Sequence, residues 1–444
     1  MSDLRTSLEQ ARLEFPVPDL PIERVLQRRD RNQRNRRIGA GVAAAVIAVL
    51  AFALAASVID KSDSEVPAGP VGNGAVTVLD AGRLIAIAGD GSRRVLIDDP
   101  FVAEGCDAAI GCHLGRVYAW SPDGAQLAFE AGKMDETSST WAIYLMRADG
   151  TDVHRVFECP GRSESGTCID LAWSPDGARL VVGYDGALWV TDLGSGETRA
   201  IAGCPTCPDP NGAPLSPTWS PDGTRIAYQR EQRPEASTAG LAVANADGSR
   251  VEVLVDPKGN EAGVDAPIWS PDGETILYAT TRWSSGEHEG VWTADAESGE
   301  RTELLDVGAK AGVGSASYTP DGRTIVVSTS GSGGCPNPGC PFSVAISTMN
   351  ADGSGLQPLY ESGCCTADNT EDVFGEPTVS PDGTAIAFSV ILAEGRSSES
   401  GVYVMALDGR NLHRIASTGV APTWQPVTDT AADVSVWQPT TGTS

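Results

Sequence analysis

The sequence predicts an all-β repeat protein, because one turn motif recurs along the chain and apolar residues alternate with polar ones on both sides of it. The pentapeptide Trp-Ser-Pro-Asp-Gly is found four times and returns in degenerate form, with starts at Trp120, Trp173, Trp219, Trp269, Tyr318 and Val379. A truncated seventh copy is Trp424-Gln425-Pro426. Successive copies lie 45 to 61 residues apart, and a period of this length with turn residues in every unit is typical of a repeat architecture.

Each pentapeptide has the residues of a β-hairpin turn, with Pro at the second turn position and Gly at the position that needs a left-handed backbone. A second hairpin with an Asp-Gly turn follows in most units, at Asp149-Gly150, Asp247-Gly248, Asp352-Gly353 and Asp408-Gly409. Two hairpins make a four-stranded antiparallel sheet, which is one blade of a β-propeller.

The repeats resemble the Pro-Asp-containing repeats of TolB-like β-propellers, a branch of the WD40-like group. The resemblance extends over residues 75–426 and rests on the seven copies above. It implies the propeller fold, but the matched residues are structural and imply no activity. The N-terminal α/β domain of TolB itself is not visible in this sequence, so the resemblance does not imply its role in outer-membrane integrity.

Residues 1–37 are predicted to be a short cytoplasmic segment. Seven Arg lie between Arg24 and Arg37, which is typical of the charged flank of a membrane span. A helix that binds a partner is the alternative interpretation, because Leu4, Leu8 and Phe15 fall on one helical face.

Residues 38–59 are an uncharged, Ala-rich run that is long enough to cross the hydrocarbon core as a helix. The preceding Arg cluster predicts a single-pass anchor in the cell membrane, with a cytoplasmic N-terminus and an extracytoplasmic propeller. A cleavable signal peptide is the alternative, since Ala51-Phe52-Ala53 and Ala53-Leu54-Ala55 have the small residues of cleavage sites. Residues 60–74 are predicted to be a flexible linker.

Three strand-like segments follow the linker, at 75–79, 84–88 and 94–97, and they match the second to fourth strands of a blade. The missing innermost strand is predicted at 420–424, so that one blade is shared between the two ends of the repeat region. This arrangement gives seven blades, with six as the alternative, and removes the exposed sheet edges of an open array. Residues 427–444 are predicted to be a flexible tail.

The net charge argues against a nucleic-acid partner. The formal net charge of the whole chain is −27. Residues 1–60 contribute about +2, so the remaining residues contribute about −29. Binding to phosphates requires a basic surface, so the acidity favours solubility, with attraction for cationic peptides or divalent ions as a further possibility.

Ten cysteines follow residue 59, an even number that predicts disulfides in an exported domain. They are Cys106, Cys112, Cys159, Cys168, Cys204, Cys207, Cys335, Cys340, Cys364 and Cys365. All fall in connections between blades or in a loop between the second and third strands of a blade. These segments share one face of a propeller, here named the Cys-bearing face. The opposite Pro-Asp-Gly face carries the short turns.

Two of the cysteine pairs allow a different interpretation. Cys204 and Cys207, and Cys335 and Cys340, have spacings that suit zinc, although export favours disulfides. Cys364 and Cys365 are adjacent and are expected to pair with Cys335 and Cys340, which belong to the same blade. We therefore predict neither a metal site nor a cofactor.

Candidate ligand-binding residues lie on the same Cys-bearing face. Trp283 departs from the repeat position of the other tryptophans and lies in a loop with Arg282, Glu287 and His288, a composition typical of binding hot spots. His113 also falls in a connection on this face.

Two classes of function are consistent with these patterns. The first is an extracytoplasmic receptor or scaffold that binds a protein, a peptide or a cell-envelope ligand, with signalling through residues 1–37 as a variant. The second is a propeller enzyme of lyase, cyclase or hydrolase type that uses loops of the Cys-bearing face. The sequence has no Gly-x-Ser-x-Gly motif and no phosphate-binding loop, so a binding module is the prediction.

Overall fold

The computed structural model describes residues 72–427, apart from residue 90 and the segments 99–100, 102–111, 135–138, 160–169, 185–186, 204–213, 231–238, 258–262, 282–288, 309–310, 332–342, 362–372, 375–376 and 392–399. The chain divides into two compact units, 1–67 and 68–444, and all of these residues belong to the second. No helix within them is long and apolar enough to cross a membrane. The predicted segments 1–37 and 38–59, most of the linker 60–74 and the tail beyond Val427 lie outside them.

The described residues form seven separate antiparallel sheets, which are the blades of a β-propeller. Blade 1 contains β1 (Gly72–Asp80), β2 (Arg83–Ile87) and β3 (Arg93–Ile97). Blade 2 contains β4 (His113–Trp120), β5 (Gln126–Met134), β6 (Ser139–Arg147) and β7 (His154–Cys159). Blade 3 contains β8 (Asp170–Trp173), β9 (Arg179–Tyr184), β10 (Ala187–Asp192) and β11 (Thr198–Gly203).

The remaining blades repeat this order. Blade 4 contains β12 (Pro214–Trp219), β13 (Arg225–Arg230), β14 (Gly240–Asn245) and β15 (Val251–Val255). Blade 5 contains β16 (Gly263–Trp269), β17 (Thr275–Thr281), β18 (Glu289–Asp295) and β19 (Arg301–Gly308). Blade 6 contains β20 (Ala311–Tyr318), β21 (Thr324–Gly331), β22 (Ser343–Asn350) and β23 (Gln357–Glu361). Blade 7 contains β24 (Val373–Phe374), β25 (Thr378–Val379), β26 (Ala385–Ile391), β27 (Gly401–Ala406) and β28 (His413–Ala416), and both β24 and β25 pair with β26.

The last strand, β29 (Val420–Val427), pairs with β1 and completes blade 1. The predicted composite blade and the seven-bladed ring are therefore confirmed. The seam, which is the pairing between β1 and β29, is longer than the sequence indicated. Gly72 pairs with Val427 and Asn73 with Pro426, so β1 begins inside the segment predicted to be linker.

The pentapeptides form the predicted turns, and side chains stabilise them from within. In the turn of blade 4, the amide of Gly223 donates to the Ser220 carbonyl at 2.8 Å. The Ser220 hydroxyl donates to Oδ1 of Asp222 at 2.6 Å, and the Thr224 amide donates to the same oxygen at 3.0 Å. The Ser220 hydrogen bond is the main reason that the pKa of Asp222 lies below its usual value. The repeated polar residues of this turn are thus used to stabilise the turn itself.

Neighbouring blades are joined by the repeated tryptophans, as their common repeat position predicted. The indole Nε1 of most of them donates to the backbone carbonyl just before the equivalent residue of the preceding blade. These bonds are Trp173 to Ala119 at 3.0 Å, Trp219 to Ala172 at 3.2 Å, Trp269 to Thr218 at 3.2 Å and Trp424 to Thr378 at 3.1 Å. Seven buried apolar clusters fill the seven spaces between blades, including the space between blades 7 and 1. The ring is therefore closed by packed side chains.

Blades 1 and 2 are joined by further side-chain hydrogen bonds at the two ends of β29. The Nε2 amide of Gln425 donates to the Gly124 carbonyl at 2.9 Å, which places the end of β29 directly against the first Pro-Asp-Gly turn. The Tyr118 hydroxyl donates to the carbonyls of Val420 and Ala421 at the other end of the same strand. Strand β29 is thus fastened to blade 2 at both ends.

Candidate functional site

The innermost strands bulge at one common level, and the bulge shapes the centre of the ring. Ser216, Ala266 and Ala421 each precede a proline and have φ angles of 48°, 43° and 49°, a left-handed region that non-glycine residues rarely adopt. The strand pairing skips at the same positions in β12, β16 and β29. A bulge leaves residues unpaired and redirects their side chains. At this level the inner surface of the ring is consequently formed by side chains as well as by paired backbone.

A cavity of about 1160 Å³ lies at this level. Its lining comes from the innermost strands of six blades, including Arg116, Tyr118, Asp170, Ile268, Tyr318, Thr378 and Val420, which places it on the axis of the propeller. Ala81 and Gly82 also line it. These two residues form the tight turn between the second and third strands of blade 1, so the cavity reaches the Cys-bearing face. We name it the channel mouth.

One carboxylate, that of Asp170, lines the channel mouth, and the Asp265 carboxylate lies near enough to influence it. Oδ2 of Asp170 accepts a hydrogen bond from the Ser216 amide at 2.9 Å. Burial, and to a smaller extent the neighbouring Asp265 carboxylate, raise the pKa of Asp170, and burial raises the pKa of Asp265 as well. Within the described part of the chain no Lys, Arg or His forms an ion pair with either group. The protein therefore provides little stabilisation for the ionised forms of Asp170 and Asp265.

Aromatic and hydroxyl groups complete the wall. Tyr118 and Tyr318 both line the cavity, and burial raises the pKa of each phenol. Ser317 and Ser389 line it too, and the hydroxyl oxygen of each is buried without a hydrogen-bond partner among the described residues. Ser389 is fully buried. Buried hydroxyls are normally paired, so these two have hydrogen-bonding capacity left for a bound molecule.

Most of the ligand-binding residues predicted from the sequence lie outside the described residues. Trp283, Arg282, Glu287 and His288 belong to the segment 282–288, which joins β17 to β18 on the Cys-bearing face. His113 is described and begins β4 opposite Gly132, so the prediction that it lies in the connection is corrected to the start of an innermost strand. The next residue, Leu114, also pairs with β5, so the strand pairing is continuous from His113.

Two of the ten cysteines are within the described residues. Cys112 forms a β-bridge with Phe101 and is buried, and Cys159 ends β7 and is buried. Both are disulfide-bonded rather than free. The other eight cysteines, and with them the zinc alternative, fall outside the described residues. Within the described residues no group of three or more His, Cys, Asp or Glu could hold a metal ion.

The residues of the channel mouth were missed by sequence reasoning. Asp170 precedes Trp173 by three residues, a repeat position that carries Val117 in blade 2 and Ser216 in blade 4. The sequence did show a carboxylate at this repeat position. It did not show that residues at this position face the central axis, because that depends on the bulges in the innermost strands.

Comparisons with known proteins give the fold. Neither a protein-family model nor a curated protein sequence matches the chain. An oligogalacturonate lyase in complex with manganese is similar, with a TM-score of 0.52, 15% identity and coverage of 79% of this chain and 86% of the lyase. Prolyl endopeptidase is similar with a TM-score of 0.53 and 13% identity, over 80% of this chain and half of that protein.

TolB from Acinetobacter baumannii is also among the similar structures, with a TM-score of 0.42 and 18% identity. The match covers 64% of this chain, which spans only 62% of that TolB chain. The TM-score of this match is low, and at these identities the likenesses show the propeller fold and no activity.

Proposed function

We propose that this chain is a single-pass, membrane-anchored binding module whose propeller lies outside the cytoplasm and takes its ligand at the Cys-bearing face. The observation that carries the proposal is the channel mouth, which combines a large concave volume with hydrogen-bonding groups that the protein leaves unused. Such sites on a rigid scaffold are where ligands bind. The ligand is a protein, a peptide or a cell-envelope component.

The two faces of the propeller differ in a way that supports this choice. On the Pro-Asp-Gly face, short turns are internally hydrogen-bonded, as at Asp352, where the Ser354 hydroxyl and amide both donate to Oδ1. On the Cys-bearing face, the sequence has its longest insertions and all ten cysteines. Disulfides restrict the unfolded chain and reduce the entropy cost of ordering long loops. Loops stabilised in this way around a cavity make a recognition surface.

The membrane anchor and the outside location of the propeller rest on residues 24–59. The Arg cluster precedes the uncharged run 38–59, and positive charge is retained on the cytoplasmic side. Paired cysteines are stable in an oxidising compartment, which agrees with an exported domain. A propeller enzyme using loops of the same face is the alternative function.

We expect a membrane-impermeant crosslinker, added to intact cells that express the full-length chain, to capture a partner on the propeller. Trp283→Ala and His113→Ala should reduce the recovered partner, by about thirtyfold if either residue is a hot spot of about 2 kcal/mol. The control is Asp352→Ala in a turn of the opposite face, which should retain the partner at equal expression. Loss of the partner only in the control, or no labelling of the propeller in intact cells, would contradict the proposal.

A further inference from the structure

We infer that the channel mouth binds a polypeptide through one arginine or lysine side chain, with the Asp170 carboxylate as its counter-charge. This inference rests on the proposed function and names the chemistry of the ligand. It is carried by two independent observations in the same cavity: the half-buried Asp170 carboxylate, which has no cationic partner in the described residues, and the fully buried Ser389 hydroxyl, which has no hydrogen-bond partner there.

The carboxylate pair favours a cationic group. Asp170 lines the cavity and receives a single hydrogen bond, from the Ser216 amide at 2.9 Å. Asp265 stands close enough for its charge to act on Asp170. A desolvated carboxylate is stabilised strongly by an opposite charge that also donates hydrogen bonds. A guanidinium or ammonium group would supply both.

The one arginine that lines the cavity among the described residues, Arg116, does not pair with the Asp170 carboxylate. Arg116 is exposed. An exposed guanidinium is solvated by water more fully than the half-buried Asp170 carboxylate is. A positively charged ligand group would therefore stabilise the Asp170 carboxylate in the channel mouth.

The rest of the wall fits a side chain attached to a peptide. Tyr118 and Tyr318 line the cavity, and aromatic rings attract Arg and Lys side chains through cation–π contacts. The hydroxyls of Ser317 and Ser389 can pair with peptide amides or carbonyls. A volume of about 1160 Å³ exceeds what a single ion requires. The charge of about −29 outside residues 1–60 would also steer a basic segment towards the propeller.

The test uses the full-length protein and two blocked peptides, Gly-Ser-Arg-Ser-Gly and the same peptide with citrulline in place of arginine. Citrulline has nearly the same shape without the charge. We expect saturable binding of the arginine peptide, measured by calorimetry at physiological ionic strength, and binding about tenfold weaker for the citrulline peptide. This comparison needs no variant, so it does not depend on how a substitution folds.

Two variants locate the charge. Asp170→Asn keeps the shape and the acceptor for the Ser216 amide, and it should weaken binding of the arginine peptide about tenfold. Its Tm should equal or exceed that of the wild type, because a poorly solvated charge is removed, whereas a merely structural role would lower the Tm. Glu303→Gln removes the same charge from an exposed position on the outer strand β19 and should leave the affinity unchanged.

Several results would overturn the inference. These are equal affinity for the arginine and citrulline peptides, equal loss in the two variants, no saturable binding of the arginine peptide or of its lysine counterpart, and stabilisation by Ca²⁺ or Mn²⁺ alone that requires Asp170. If the peptide fails while the crosslinked partner still depends on Trp283 or His113, the proposed function stands and only the cationic ligand is excluded.

Discussion

Deleting residues 418–444 is expected to lower the free energy of unfolding by about 5 kcal/mol or more, because it removes the innermost strand of blade 1. Trp424 is buried between blades 7 and 1, and removing one buried tryptophan side chain typically costs about 3–5 kcal/mol. The deletion also removes the β1 pairing and the Gln425 hydrogen bond to blade 2. A loss of this size should lower the Tm by about 6 °C or more in a domain of this length, measured by calorimetry on the truncated chain.

The matched control is deletion of residues 428–444 alone, which keeps all of β29. This shorter deletion should melt like the full-length chain. If both truncated chains melt at the wild-type temperature, the seam between β1 and β29 contributes no stability and the closed ring described above is wrong.

Gly124→Ala is expected to be the most damaging single substitution in the turns. Gly124 has a φ of 68°, and a Cβ built on it would lie 1.6 Å from the backbone oxygen of Pro426. No side chain fits at that distance, so the turn or the end of β29 has to move. We expect a loss of about 3 kcal/mol beyond the cost of the left-handed backbone alone.

Gly177→Ala measures that backbone cost separately. Gly177 occupies the same turn position in blade 3 with the same φ of 68°, but its nearest atom is Cδ of Pro122 at 3.8 Å. Alanine there should cost only about 1–2 kcal/mol for the left-handed conformation. Equal losses of unfolding free energy for the two variants would mean that Gly124 has no special contact with β29.

The sequence predicted the features of the fold that depend on local residue patterns. The Pro-Asp-Gly turns and the second hairpins follow from turn chemistry and strand alternation, which act over a few residues. The position of Trp219 and its equivalents between blades also followed, because a residue that recurs at one repeat position has a repeated structural role. These predictions needed no knowledge of contacts between distant residues.

The functional site could be predicted only in part. The sequence indicated the Cys-bearing face, because long insertions are visible as breaks in the repeat. Asp170 and Ser389 were missed, since they line one cavity only when the blades are arranged around the axis. The bulges had one signal, a proline two residues before Trp219, Trp269 and Trp424, but a residue before proline usually takes an extended conformation. The left-handed backbone at this position therefore departs from what the sequence alone predicts.

The central claim is that the ligand enters the channel mouth, and filling that mouth tests the claim most directly. Val117 lines the cavity, whereas Val251 is 49% exposed on the outer strand β15, so Val117→Trp and Val251→Trp make the same chemical change at the two places. The measurement is recovery of the partner captured on intact cells, at equal expression and with the Tm of each variant determined. The account predicts at least a tenfold loss for Val117→Trp and wild-type recovery for Val251→Trp. Wild-type recovery by a folded Val117→Trp protein would contradict it.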